Sequence, residues 1–200
     1  MPRVVGDISV SMDGYATGVG QTRERPFGDI DARILHDWAF HDDYALESSA
    51  EIAAIVDAGA FIMGRNMFGP DRGDWDLGWR GWWGADPPYH GPVFVLAHRP
   101  RPDLDMEGGT TFHFVTDGIH AALERARAAA GDRHVAIAGG ARTLNQYLHA
   151  GLVDELRLHV TPTIVGSGER VFDGVGRQNW EIASVRQVTL ATHVVYRPRR

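Results

Sequence analysis

The adjacent glycines Gly139 and Gly140 mark the stretch of this chain best suited to hold a charged ligand. From His134 to Glu155 the residues read as a buried strand, a turn at the glycine pair, a short helix ending at Gly151, and the start of another strand. Glycine has no Cβ, so a ligand can approach its backbone closely. The first turn of a helix presents unpaired N–H groups and the positive end of the peptide dipole. A strand that breaks at paired glycines and opens a helix therefore fits a pyrophosphate; the plainer alternative is close helix–strand packing.

Two other strand ends carry polar residues, Gly64-Arg65-Asn66 and Ala97-His98-Arg99. Strand ends of an open α/β sheet are where such folds bind ligands. Arg65 and Arg99 have the bidentate geometry a phosphate needs, unless they are simply surface loop charges. Trp75, Trp79, Trp82 and Trp83 crowd a glycine-rich segment. They either wall a pocket for a flat ring or pack against the sheet or a dimer mate. Trp82 and Trp83 are consecutive, so at most one of them lines a pocket. The ten histidines match no metal-ligand spacing, so no metal site is expected. His113 and His159 occupy polar positions of strands.

The elements that position these residues follow from periodicity. Ile8, Val10 and Met12 alternate with Asp7, Ser9 and Ser11, which predicts a strand over Val4–Met12 before the Asp13-Gly14 turn. Residues 17–43 read as a long loop with a helical piece near Ala32–Phe40. Tyr44–Ala58 reads as a helix with Leu46, Ala50, Ala53, Ala54 and Ile55 inward. Short apolar strands are expected at Ala60–Met63, Val93–Leu96 and Thr111–Val115, and a helix after Asp117. Leu156, Leu158 and Val160 alternate with Arg157, His159 and Thr161, and a last strand runs over Val188–Tyr196. The order implies one α/β domain over residues 1–200. It should have three layers, a mostly parallel central sheet of about eight strands with an antiparallel C-terminal edge, and about four flanking helices.

Composition narrows the function classes. The 200 residues are 44% hydrophobic, enough for a sizeable core. A net charge of −6 argues against nucleic-acid binding, and only the tail Arg197-Pro198-Arg199-Arg200 is locally basic, as a solvated end. There is no cysteine, which excludes disulfides and thiolate chemistry. No apolar run reaches the ~18 residues of a membrane span, and no signal peptide is evident, so a soluble cytoplasmic protein is expected. The dinucleotide Gly-x-Gly-x-x-Gly, the Walker loop, His-Glu-x-x-His and the nucleophile-elbow serine are all missing.

Four motifs in order carry a resemblance: Ser9-Val-Ser-Met-Asp13-Gly14; Ile62-Met-Gly64-Arg65-Asn-Met-Phe68; Ile137-Ala-Gly139-Gly140; and Gly151-Leu-Val-Asp-Glu155 through Pro162 to Val165-Gly-Ser-Gly168. Together they resemble the dihydrofolate-reductase-like superfamily, and within it the reductase domain of the bifunctional riboflavin-biosynthesis deaminase–reductase and its stand-alone relatives. The resemblance implies an NADPH-dependent reductase of a small heterocyclic substrate, a homodimer in many relatives. It places Gly64, Arg65, Asn66 and Met67 at the adenosine-side phosphates and Leu96, Ala97, His98 and Arg99 at the adenosine. Gly139, Gly140, Ala141, Arg142 and Thr143 fall at the pyrophosphate, and Val10 and Met12 near the nicotinamide.

Two residues depart from the riboflavin-pathway pattern. Ala138 stands where those reductases carry Glu, and Asp7 where they carry Lys. No deaminase-type zinc motif is present. Folate reductases place a carboxylate on the first long helix, and gapless counting puts that place at Ser48, between Glu47 and Glu51. Candidate proton donors are Asp13 and Glu47, with Asp7, Ser9 and His159; Asp7, Ser9, Trp82 and His159 are the candidate substrate contacts. The final strand, with Val194 and Tyr196, is expected either as a dimer contact or simply as core. The alternative to an enzyme is a protein that binds NADP(H) without turnover, a sensor or degenerate relative.

Overall fold

The computed structural model describes residues 2–70 and 73–199. Met1, Asp71 and Arg72 of the tryptophan-rich segment, and Arg200 of the basic tail lie outside the described residues.

Alternating residues build the first strand, β1 (Val4–Ser11), which turns into β2 (Tyr15–Thr17). Helices α1 (Arg33–Phe40) and α2 (Ser49–Val56) follow, then β3 (Ala60–Gly64), the single turn α3 (Arg65–Phe68), β4 (Pro92–Leu96), β5 (Leu104–Asp105) and β6 (Thr111–Val115). The chain continues through α4 (Gly118–Ala130), β7 (Val135–Ile137), α5 (Ala141–His149), β8 (Glu155–Thr161), β9 (Glu169–Arg170), β10 (Trp180–Gln187) and β11 (Thr192–Pro198). Among the described residues the main sheet has nine strands, in the order β10-β11-β8-β1-β7-β3-β4-β6-β5. Its centre is parallel, β11 and β10 form the antiparallel C-terminal edge, and the two-residue β5 pairs antiparallel with β6 at the other edge. This is the predicted three-layer α/β architecture, with one strand more than expected.

Even-numbered residues of β1 and β8 point into an apolar cluster with α4 and α5, including Ile8, Val10, Leu156, Leu158, Leu123 and Leu144. The opposite face is covered in two pieces. Phe61, Met63, Val95, Phe112 and Phe68 form a second cluster, roofed by Trp75, Trp79 and Trp83. Trp38 of α1 packs with Ala39 and Ala191, supported by Ile52 and Ile55 of α2.

Two expectations change. The helix expected from Tyr44 is a 3-10 turn over Ala45–Ser48 followed by α2, and its apolar face is Ile52 and Ile55 rather than Leu46, which is exposed. The Ser48 hydroxyl bonds a histidine instead of capping the helix. The last strand does not begin at Val188: Val188 donates to the Ala191 carbonyl in the turn of a hairpin whose first arm, β10, is mostly exposed and carries little pattern. Val194 is buried, and the half-buried Tyr196 packs against the first cluster. In the basic tail, Arg197 is exposed and donates twice to the Glu155 carboxylate, at 3.1 and 3.2 Å.

Candidate functional site

The central strand β7 is only three residues long. It ends with Ile137 opposite Gly6 of β1 and Ile62 of β3. Beyond that point β1 and β3 continue without a strand between them. Neighbouring strands left apart at their carboxyl ends make a crevice for a ligand, and Gly139 and Gly140 form its floor.

Both glycines have positive φ, +128° and +86°, where an L side chain is strained. Gly140 is the N-cap of α5 and brings no side-chain cap to the first turn. Opposite, a Cβ on Gly64 would come within 2.4 Å of Thr143 Oγ1, and the Met67 side chain lies against Gly139. The structure thus brings Gly64, Met67, Gly139, Gly140 and Thr143 into one corner whose close approaches require bare backbone. That corner fits a pyrophosphate held by main-chain amides.

Arg65 and Arg99 are drawn together by one short segment. The Arg65 guanidinium lies 3.7 Å from the Trp75 ring and donates to the Gly73 carbonyl at 3.2 Å. Arg99 pairs with Asp74, and its carbonyl accepts Trp75 Nε1–H at 3.0 Å. Ala97 continues the ladder by donating to Val115, Leu96 is half-buried and His98 is exposed at the strand end. Arg142 is exposed and pairs with Glu169 at 2.5 Å, and Ala141 is buried against the core. The Val10 side chain is in the apolar core, so only its backbone can face a ligand, while Met12 is exposed.

The candidate proton donors separate. Asp13 accepts from Ser11 Oγ at 2.6 Å, from the Val165 amide at 3.0 Å and from the Gly166 amide at 2.8 Å. These bonds hold its carboxyl down at about 2. Asp13 is therefore a fixed anion that ties the β1–β2 turn to the loop after β8. Glu47 accepts from Thr189 through backbone and hydroxyl, both at 2.9 Å, and clasps the β10–β11 turn. Glu51 pairs with Arg186.

Asp7, Ser9 and His159 do converge, on the odd-numbered face of β1 and β8. Asp7 Oδ1 accepts from His159 Nε2 at 2.9 Å. Ser9 Oγ accepts from Trp38 Nε1 at 3.0 Å, and the Trp38 ring stacks 4.3 Å from His159. Trp82 is elsewhere: it meets Trp79 at 4.9 Å in the segment over β3, β4 and β6.

Three members of this cluster escaped the sequence reading: Trp38, His193 and the Ser48 hydroxyl. His193 lies directly across from His159, and their Nδ1 atoms are 2.7 Å apart. Ser48 Oγ is 3.1 Å from His193 Nε2. Burial, with the neighbouring His159, pushes His193 down to about 4. The signal was partly present, since the folate-reductase count landed on Ser48. His193 needed the β11 register, which a strand starting at Val188 does not give.

Residues 2–194 match the RibD C-terminal domain. The chain belongs to the RibD C-terminal domain family. Three solved structures share the fold of this RibD-type domain. A putative riboflavin biosynthesis protein from Shewanella sp. PV-4 is 22% identical with a TM-score of 0.69, each chain covered in full. A deaminase/5-amino-6-(5-phosphoribosylamino)uracil reductase from Thermotoga maritima is 12% identical with a TM-score of 0.60, and the match covers 99% of this chain but 57% of that one. A pyrimidine reductase-like protein from Corynebacterium diphtheriae is 16% identical with a TM-score of 0.57, covering 100% and 92%. No curated protein matches the chain. Among the described residues no helix is long and apolar enough to cross a membrane, and no three His, Asp or Glu side chains are grouped to hold a metal ion.

Proposed function

We propose that this RibD-type domain is an NADPH-dependent reductase of a small heterocycle, of the kind its uracil-reductase relative acts on. The observation that carries the reading is the corner at Gly64, Gly139 and Gly140, where a Cβ would collide or strain and where α5 presents its N-terminus. When bound, the reduced nicotinamide supplies a hydride; the protein contributes position and a proton. Gly139, Gly140 and Thr143 would hold the pyrophosphate, and Arg65 the 2′-phosphate. Arg99 is the weaker candidate, because Asp74 already neutralises it.

Asp7 and Ala138 give the substrate side a carboxylate and a small apolar residue. That favours a ring offering N–H groups to Asp7 over one that presents an anion there. The exposed edge strand β10, with Ile182 and Val185 uncovered, supports a homodimer through that edge.

Tryptophan fluorescence tests the reading, because Trp75 stacks on Arg65. NADPH should quench it saturably and NADH more weakly. Reduction of a pterin, aminouracil or quinone panel, followed at 340 nm, separates an enzyme from a protein that only binds. The absence of any NADPH-dependent quenching would remove the proposal.

A further inference from the structure

Four polar side chains from four segments are joined in a line beneath Trp38. Asp7 Oδ1 is 2.9 Å from His159 Nε2, His159 Nδ1 is 2.7 Å from His193 Nδ1, and His193 Nε2 is 3.1 Å from Ser48 Oγ. The Asp7 and His159 side chains are only 8% and 3% exposed, and His193 and Ser48 are buried. The Trp38 ring covers both imidazoles, at 4.3 and 4.9 Å.

A neutral imidazole has one N–H and one lone pair. Two ring nitrogens at hydrogen-bond distance must therefore place one hydrogen between them. With both rings neutral, His159 Nε2–H donates to Asp7. His193 Nδ1–H then donates to His159 Nδ1, and the Ser48 hydroxyl donates to His193 Nε2. With one extra proton, His159 donates from both nitrogens, His193 accepts at Nδ1, and its Nε2–H donates to the Ser48 oxygen. Every bond survives, and only the two bonds made by His193 reverse direction, so the line can carry charge without repacking.

One end of the line is open. Asp7 Oδ2 is buried and accepts no hydrogen bond among the described residues, with Arg157 Nη1 3.9 Å away. A buried, unmatched carboxylate oxygen calls for a partner. Asp7 is also the first residue of β1 beyond the end of β7, at the foot of the crevice.

We propose that Asp7, His159, His193 and Ser48 store one proton beside the parted strands, and that Asp7 delivers it through Oδ2 to the substrate atom that hydride transfer leaves negative. This rests on the reductase reading above. The two electrons travel with the hydride of the reduced nicotinamide. On the protein the His159 Nε2–H bond breaks as its proton passes to the Asp7 carboxylate, and the Asp7 O–H bond so formed breaks in turn as an N–H or O–H bond forms on the substrate. Asp7 is left a carboxylate and the imidazole pair neutral, and a proton from water restores the store between turnovers.

The other charged groups around the pair are largely matched with one another. Glu155 of β8 is held by Arg3, Arg157 and Arg197, and Glu51 of α2 by Arg186 of β10. Glu47 is bonded to Thr189, and burial lowers His36 of α1 from the usual imidazole value. Asp7 is the carboxylate bonded directly to an imidazole. Its contact with His159 Nε2 puts the one carboxylate of the line at the His159 end, where an added proton is matched by an opposite charge.

The test uses the full chain labelled with 15N-histidine, titrated by NMR from about pH 4 to pH 9 with NADPH present and absent. The His159 and His193 ring nitrogens should respond together and take up one proton between them. Asp7→Asn should move that uptake at least about one pH unit lower. His193→Gln, which can still bond Ser48, should leave His159 titrating alone. In the kinetic arm, with 9,10-phenanthrenequinone as acceptor, Asp7→Asn should lower kcat by about 100-fold and abolish the acidic-side pH dependence. Its NADPH Kd should stay within about twofold, the change expected when only the proton arm is lost.

Rings that keep fixed, independent tautomers across the range overturn the store. Unchanged kcat and pH profile in Asp7→Asn overturn the delivery. Wild-type protein that binds no NADPH overturns the reductase reading and the delivery with it, whatever the rings do. Bound NADPH with rings that share no proton overturns the store alone.

Discussion

The glycine corner and the Asp7–His159–His193–Ser48 line lie at two sides of one crevice and are made by different means. The corner is backbone. Its shape comes from positive φ at two consecutive residues and from the absence of a Cβ at Gly64, so it is specified by residues adjacent in sequence. The line is side chain. Its members come from β1, the turn before α2, β8 and β11, with directly bonded partners as much as 152 residues apart. A corner made of backbone binds without titrating. A line made of imidazoles titrates, and contributes little to holding a nucleotide. Substitutions at one should therefore spare the other.

The sharpest break of that contrast is Gly139→Ala. Its Cβ has ordinary room beside Met67, 3.6 Å away, so the harm comes from an L residue forced to φ +128°. We expect a loss of about 3 kcal/mol in NADPH binding by fluorescence titration, with the histidine titration unchanged. Arg65→Ala comes next. It should weaken NADPH by about 2 kcal/mol and NADH by much less, the size of a lost charged hydrogen bond. Equal losses would remove Arg65 from the 2′-phosphate.

The line should reveal itself in stability against pH. His193 has a folded value of about 4, below the ordinary 6.5, so the unfolded chain binds its proton first. Its contribution is complete above about pH 6.5 and is lost as pH falls towards 4, by roughly 1–2 kcal/mol once partial solvation is allowed for. Urea midpoints measured across that window should fall, and His193→Gln should flatten them. Asp13, held at about 2, adds a separate loss that begins only below about pH 3.8. The smallest effect expected is at Asp74→Ala. Freeing Arg99 from an exposed ion pair should tighten NADPH by less than about 1 kcal/mol.

Much of the corner was legible because glycine pairs, strand ends and helix starts are local signals. The apolar faces of β1 and β8 were legible for the same reason, through a period of two. The polar face of those strands could be read as polar, but not as a connected line. Asp13 and Glu47 looked like acids free to act, and in the fold both are occupied by backbone amides and hydroxyls of distant loops. The last strand looked continuous from Val188 to Tyr196, and in the fold Val188 belongs to the turn of the hairpin that brings β10 alongside β11.

By itself the sequence determined the α/β order, the glycine corner and the arginine at the end of β3, because each depends on residues within one turn or strand. Only the tertiary structure decided that β7 stops short and parts its neighbours. It also decided that His193 stands opposite His159, and that Ser48 points inward to meet it. Register across a sheet is set by how whole strands pack, and no local pattern of residues encodes which side chain will lie one hydrogen bond from another.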